Sequence, residues 1–175
     1  NKCVSLPVYY WITDARSPVT SLAQACMKGD LDVVTMFLAD ERTDVNLSHC
    51  LFLSIVDEHR DIRNLLLQDP RTDVNLVTHD MSPILYSVGQ GDADSFDALL
   101  AHDRIDINQC YLHDRTLLDV CLERARDGEI FHNEQAKITF QYELTKVLAH
   151  PRFPVNKKNV IGETPLFKAI NNQDI

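Results

Sequence analysis

The chain has 175 residues, enough to bury a core, and its 45% hydrophobic and 25% charged residues are ordinary for a folded domain. A net charge of −9 argues against binding to nucleic acid, which requires clustered Lys and Arg. No apolar run approaches the roughly 20 residues that cross a bilayer, and no signal-type core follows the N-terminus, so the sequence predicts a soluble chain without a membrane span.

Residues 1–16 precede any recurring pattern and are rich in apolar and aromatic residues between positions 4 and 12. Such a segment would suit a cap that covers the first folded element. A segment that binds a partner is the alternative.

Two short phrases then recur in register along the chain. The closing phrase occurs as Arg42-Thr-Asp-Val-Asn46, Arg71-Thr-Asp-Val-Asn75, Arg104-Ile-Asp-Ile-Asn108 and Arg152-Phe-Pro-Val-Asn156. The opening phrase occurs as Thr20-Ser-Leu22, His49-Cys-Leu51, Ser82-Pro-Ile84, Thr116-Leu-Leu118 and Thr164-Pro-Leu166. Both phrases repeat after 29 and then 33 residues, which indicates a repeat protein.

Each opening phrase predicts the start of a helix, because Ser or Thr caps free backbone N–H groups and Pro is tolerated at the first helical position. Gly29-Asp30 and Gly91-Asp92 predict the end of one helix and the cap of the next. Each unit therefore reads as a helical hairpin. Its second helix carries one apolar stripe, which must be buried against neighbouring units.

These phrases resemble the ankyrin repeat family, whose pattern runs TPLHxAA, a short turn, IVxLLL and DVN. The resemblance implies an all-α helical-hairpin solenoid of about five repeats with short β-hairpin-like fingers. The predicted units are 17–46, 47–75, 76–108, 109–156 and an incomplete 157–175. Because the chain starts at Asn1 and stops within a repeat, we expect a fragment of a longer protein.

Two units depart from the family pattern. The second is short, which predicts a stunted finger, and it has Arg60 and Arg63 where the pattern has apolar residues. The fourth carries an insertion near 124–139, which predicts longer helices joined by a protruding loop. The repeat register also predicts that four leucines occupy equivalent buried positions: Leu38, Leu67, Leu100 and Leu148.

The residues that could carry chemistry do not form a recognisable site. The five cysteines lack CxxC spacing, which favours reduced thiols in a cytosol-like compartment. His49-Cys50 with His59, or Cys110 with His113, do not provide four ligands at zinc-type spacing. Phosphate-binding glycine loops are absent. The sequence predicts no catalytic residues, no metal and no cofactor.

The resemblance also implies a modification. Ankyrin proteins with Leu-x5-Asp-Val-Asn spacing are substrates of an asparaginyl hydroxylase, which would make Asn46, Asn75 and Asn108 candidate sites. The alternative is that these residues only fasten the turn.

In ankyrin proteins the fingers and first helices line a concave face that binds a partner protein. The corresponding positions in this chain are Met27, Val77, His79, Met81, Gln90, Tyr111, Leu112, His113 and Arg115. We therefore expect a protein–protein interaction module, not an enzyme, that forms the targeting or adaptor part of a longer cytoplasmic protein. The alternative is the substrate-recognition region of an enzyme or of a secreted microbial effector in the host cytosol.

Overall fold

The structure is a computed structural model that describes residues 20–78, 81–109, 116–122 and 134–153, together with 156, 158, 162–164 and 167. These residues are mainly helical, as the sequence predicts, and the one β pairing among them is an isolated antiparallel bridge between Thr78 and Met81. The helices are α1 (Ser21–Lys28), α2 (Leu31–Ala39), α3 (Cys50–Val56), α4 (Arg60–Gln68), α5 (Pro83–Gln90), α6 (Ala93–Leu100) and α7 (Glu134–Ala149), and residues 117–122 are also helical. The chain forms two compact units, and the boundary between them lies between Pro83 and Ile84. From here on these are called the first unit and the second unit, and the repeats expected from the sequence are called the predicted units.

Local capping explains where the first helices begin and end. The Thr20 hydroxyl accepts a hydrogen bond from the backbone N–H of Ala23 at 3.2 Å and so begins α1. Gly29 ends α1 with a φ of +74°, and the Asp30 carboxylate then caps α2 by accepting from Val33 N–H at 3.2 Å. The second Gly-Asp pair connects α5 to α6 in the same way. The predicted helix boundaries are confirmed at these positions.

The second hairpin lacks a Gly-Asp pair and is connected differently. Glu58 takes the left-handed conformation there, with a φ of +60°, and His59 begins α4 without a side-chain cap bond. The His59 ring instead reaches the first hairpin, where its Nε2 lies 3.0 Å from the Met27 carbonyl oxygen. The connection before α3 is a turn through Ser48 and His49, and residues 47–49 contain no β bridge. The stunted finger expected here stays a prediction.

In the first unit the two hairpins lie side by side. Helix α1 packs against α2 and α3 packs against α4, while α1 contacts α3 and α2 contacts α4. Apolar side chains from all four helices are buried between them, including Leu22, Cys26, Val34, Leu51, Leu53, Ile62 and Leu66. Burial of this shared face is the main force that holds the hairpins together.

In the second unit α6 packs against α7. Phe96, Leu99 and Val147 are fully buried there. On the outside, the Tyr142 hydroxyl donates to the Asp97 carboxylate, and Lys146 Nζ lies 3.6 Å from the same carboxylate. Helix α7 has 16 residues, so the predicted longer helix is confirmed, while the predicted protruding loop lies outside the described residues.

The predicted set of equivalent buried leucines is wrong. Leu100 is buried, but Leu38 and Leu67 are only half-buried and Leu148 is 48% exposed. In three of the predicted units the residue just before the predicted leucine is the fully buried one, namely Leu66, Leu99 and Val147. The helices are therefore rotated by about one residue from the predicted orientation.

The apolar stripe predicted for the second helices also needs correction. Leu31 is exposed in α2, and among the described residues of that helix Val34 is the fully buried one. In α4 the side chain of Arg63 is buried at the position that Val34 and Phe96 occupy in the neighbouring hairpins. Its guanidinium donates to the Asn64 side-chain oxygen at 2.9 Å, which compensates part of the cost of burying a charge.

Candidate functional site

The recurring Asp-x-Asn sequence forms the same turn in three of the predicted units. The Asp44 carboxylate accepts hydrogen bonds from the backbone N–H groups of Asn46 at 3.0 Å and Leu47 at 3.2 Å. Asp73 and Asp106 accept in the same way from the N–H two residues later, at 3.0 and 2.9 Å. Each Asp side chain thus stabilises the turn that follows it, as in Asx turns.

The Asn46 side chain connects this turn to the next hairpin. Its amide nitrogen donates to the Arg71 carbonyl oxygen at 2.9 Å, and its amide oxygen accepts from Asp73 N–H at 2.7 Å. Both groups of the amide are therefore engaged with the backbone of the following unit. Asn46 is half-buried by this arrangement, so the first hydroxylation candidate is tied to the scaffold. The other two candidates, Asn75 and Asn108, are also half-buried.

The arginine of the closing phrase also bonds to the preceding hairpin. The Arg71 guanidinium donates to the carbonyl oxygens of Leu38 at 2.7 Å and Asp40 at 3.1 Å, at the end of α2. In the second unit Arg152 donates to the carbonyl oxygens of Asp103 at 2.8 Å and His102 at 3.4 Å, just after α6. These bonds add arginine donors to carbonyl groups at the ends of the two helices, where intrahelical N–H partners run out. The carbonyl oxygens of Asp40 and His102 also accept from the backbone N–H groups of Thr43 and Ile105, both at 3.0 Å.

A side-chain acceptor two residues before each arginine holds the arginine backbone. In the first two closing phrases it is an Asp. Asp69 accepts from the N–H of Arg71 at 2.9 Å and from its guanidinium at 2.6 Å. In the next two it is a His, and His150 Nδ1 accepts from Arg152 N–H at 3.3 Å. Partial burial, followed by the nearby charge of Arg152, lowers the pKa of His150.

Two turns of the first unit are connected to each other directly. His49 Nδ1 lies 2.6 Å from the Thr78 hydroxyl, which adds to the bonds that Asn46 makes with the second turn. Thr78 is itself fixed by its reciprocal backbone bonds with Met81, at 2.8 and 2.9 Å. The two segments 44–49 and 73–81 therefore meet at their described residues and hold each other in place.

These connected segments expose apolar side chains. Leu47 is 54% exposed, Val77 is 37% exposed and Met81 is 39% exposed. The carboxylates of Asp44 and Asp73 are exposed on the same two segments. We call Asp44, Leu47, Asp73, Val77 and Met81 the finger surface.

The space beneath the finger surface is too small for a ligand. The cavity volume is about 10 Å³, which is room for about one water molecule. It is lined by Val45, Asn46, His49, Cys50, Leu51, Phe52, Asp73, Leu76 and Pro83. A partner would therefore contact the outside of these turns.

Four of the nine predicted partner-binding residues lie within the described part of the chain, and their role in binding stays a prediction. Val77 and Met81 lie on the finger surface, while Met27 is half-buried in α1 and Gln90 is exposed at the end of α5. His79, Tyr111, Leu112, His113 and Arg115 lie outside the described residues. Leu47 was not among the predicted residues, although its position directly after the first closing phrase was the available signal.

Two of the buried cysteines, Cys26 and Cys121, are poor nucleophiles. A hydrogen bond with the Cys50 thiol, together with burial, raises the pKa of Cys26. Burial, followed by the charge of Glu143, raises the pKa of Cys121. Both thiols are thus protonated at neutral pH, and a thiol is a much weaker nucleophile than a thiolate.

Neither metal binding nor known relatives identify another site. In the described ranges, no group of three or more His, Cys, Asp or Glu residues is placed to hold a metal ion. None of the helices described above is long and apolar enough to cross a membrane. No protein-family model matches the sequence, and no curated protein matches it. The finger surface is therefore the feature from which a function can be argued.

Proposed function

We propose that this chain is a protein–protein interaction module that binds its partner through the finger surface. In this proposal the hairpins are irregular ankyrin-type repeats stacked as a solenoid, and the chain is the targeting or adaptor part of a longer cytoplasmic protein. Recurrence of the closing phrase and the side-by-side hairpins of the first unit support the repeat interpretation.

One observation carries the proposal. Leu47, Val77 and Met81 expose apolar surface on two turns that are hydrogen-bonded to each other through Asn46 and His49. Contiguous exposed apolar surface is typical of interaction sites. Because these described residues are already hydrogen-bonded to each other, a partner would lose little free energy in ordering them.

The proposal can be tested with a library of random linear peptides displayed on phage. We expect selection against the full chain to yield peptides whose binding is weakened by the double substitution Leu47→Ser and Met81→Ser. Truncation of two contact residues at the centre of an interface typically weakens binding by about tenfold or more.

The matched control is Leu31→Ser with Met36→Ser, which removes two exposed apolar side chains from α2 of the same unit. Circular dichroism would verify that both double variants remain helical. Peptides that bind the finger-surface variant as tightly as the control variant would refute the proposed binding site.

A further inference from the structure

We propose that the segment recognised by the finger surface is basic, with Lys or Arg residues next to apolar ones. This inference rests on the proposed function and specifies the chemistry of the partner.

The two carboxylates of the finger surface lack a cationic counterpart within the described part of the chain. Asp44 and Asp73 are exposed, and their hydrogen bonds go to backbone N–H groups of their own turns. Neither forms an ion pair with a described residue. Segments 43–49 and 72–78 contain no Lys or Arg at all. Among the described residues, no Lys or Arg therefore neutralises the negative charge of Asp44 or Asp73.

The nearest arginines in the sequence are already paired. Arg42 bonds to the Asp40 carboxylate at 2.7 Å, and Arg71 bonds to the Asp69 carboxylate at 2.6 Å. The hydrogen bond with Arg42 lowers the pKa of Asp40, as expected for a carboxylate held by a guanidinium. These two closing phrases thus keep their cation in a local ion pair, while Asp44 and Asp73 are exposed.

Charge also decides among the partners that could cover the apolar side chains. A second copy of this chain carries the same net charge of −9 and the same carboxylates, so its approach would be opposed by like-charge repulsion. A basic segment would be attracted to the carboxylates while its apolar residues cover Leu47, Val77 and Met81. Opposite charges at the rim of an interface raise the association rate and its dependence on salt.

The experiment uses the full chain and peptides from the phage-displayed random library. We expect the selected sequences to be enriched in Lys and Arg together with apolar residues. A synthetic peptide of the consensus sequence would then be titrated against wild type, against Asp44→Asn with Asp73→Asn, and against Asp32→Asn with Asp61→Asn. Asn preserves the side-chain oxygen that accepts the turn hydrogen bond, so the first variant changes charge and keeps the turn.

The second variant is a matched control, because Asp32 and Asp61 are exposed, lie on the same two hairpins and are also 29 residues apart. We expect affinity to fall roughly threefold to tenfold for the finger-surface variant and to stay within about twofold of wild type for the control. Raising the salt concentration from about 0.01 M to about 1 M shortens the Debye length from roughly 30 Å to roughly 3 Å. This should remove most of the difference in affinity between wild type and the finger-surface variant.

The outcomes separate this inference from the proposed function. Selected peptides that are neutral or acidic, yet depend on Leu47 and Met81, would support the binding site and overturn the basic partner. Equal loss of affinity in both charge variants would also overturn it, because the effect would then come from net charge alone. Peptides that ignore Leu47 and Met81 would refute the proposed binding site itself.

Discussion

The two hydrogen bonds of Asn46 lead to a quantitative prediction for Asn46→Ala. The substitution removes the donor to the Arg71 carbonyl and the acceptor for the Asp73 N–H, which are made at 2.9 and 2.7 Å. Each bond contributes roughly 0.5–1.5 kcal/mol, and the half-buried site lets water replace only part of the loss. We therefore expect the free energy of unfolding to fall by about 2 kcal/mol. The midpoint of thermal unfolding should fall by about 4–8 °C for a chain of this length.

Urea unfolding followed by circular dichroism would measure this change. The control is Gln24→Ala, an exposed polar residue on α1 of the same unit, which should stay within about 0.5 kcal/mol of wild type. If Asn46→Ala is as stable as this control, the amide does not hold the two hairpins together and the reasoning fails.

Three further substitutions test other parts of the structure. Gly29→Ala should lower the free energy of unfolding by more than the roughly 1–2 kcal/mol that an alanine loses in the left-handed conformation, because the added Cβ would lie 2.6 Å from the His59 ring. Gly162→Ala is the control: its Cβ meets nothing within 4 Å, so it should show the conformational cost alone. Equal losses for the two variants in urea titrations would contradict this clash. For His150 the pKa is below its ordinary value in the folded state, so its contribution to stability is complete above about pH 6.5 and is lost as the pH falls through the lower folded value. Thermal unfolding between about pH 7 and pH 5 should therefore depend less on pH in His150→Asn, which keeps an acceptor that does not titrate, and identical profiles would contradict the role of the ring. Tyr142→Phe removes the hydroxyl that bonds α7 to α6 and should cost about 0.5–1.5 kcal/mol in urea unfolding, whereas no change would show that this exposed bond adds nothing.

Features that depend on neighbours in sequence were predictable. The Thr20 cap and the Gly29-Asp30 connection follow from backbone chemistry within four residues, and the structure has both. The orientation of the later helices was not predictable, because burial of Val147 instead of Leu148 depends on which helix packs against α7. Repeat register fixes the spacing of residues but not the rotation of a helix.

The candidate site shows the same limit. Val77 and Met81 were selected from the sequence by their position in the repeat, and both are exposed on the finger surface. The bond between His49 and Thr78 joins residues 29 positions apart, so no local pattern indicates it. Leu47 was missed because the connection before α3 was expected to be stunted, and this short turn still leaves the Leu47 side chain 54% exposed.

The backward direction of the arginine bonds has a consequence for how the chain gains its stability during synthesis. Arg71 bonds to carbonyl groups at the end of α2, so the first hairpin acquires these partners only after about thirty more residues have been made. Arg152 bonds back across 49 and 50 residues in the second unit. Because synthesis starts at the N-terminus, each of these helix ends is made before the arginine that bonds to it. A chain cut after Asp69 would leave every residue of the first hairpin in place and still weaken it.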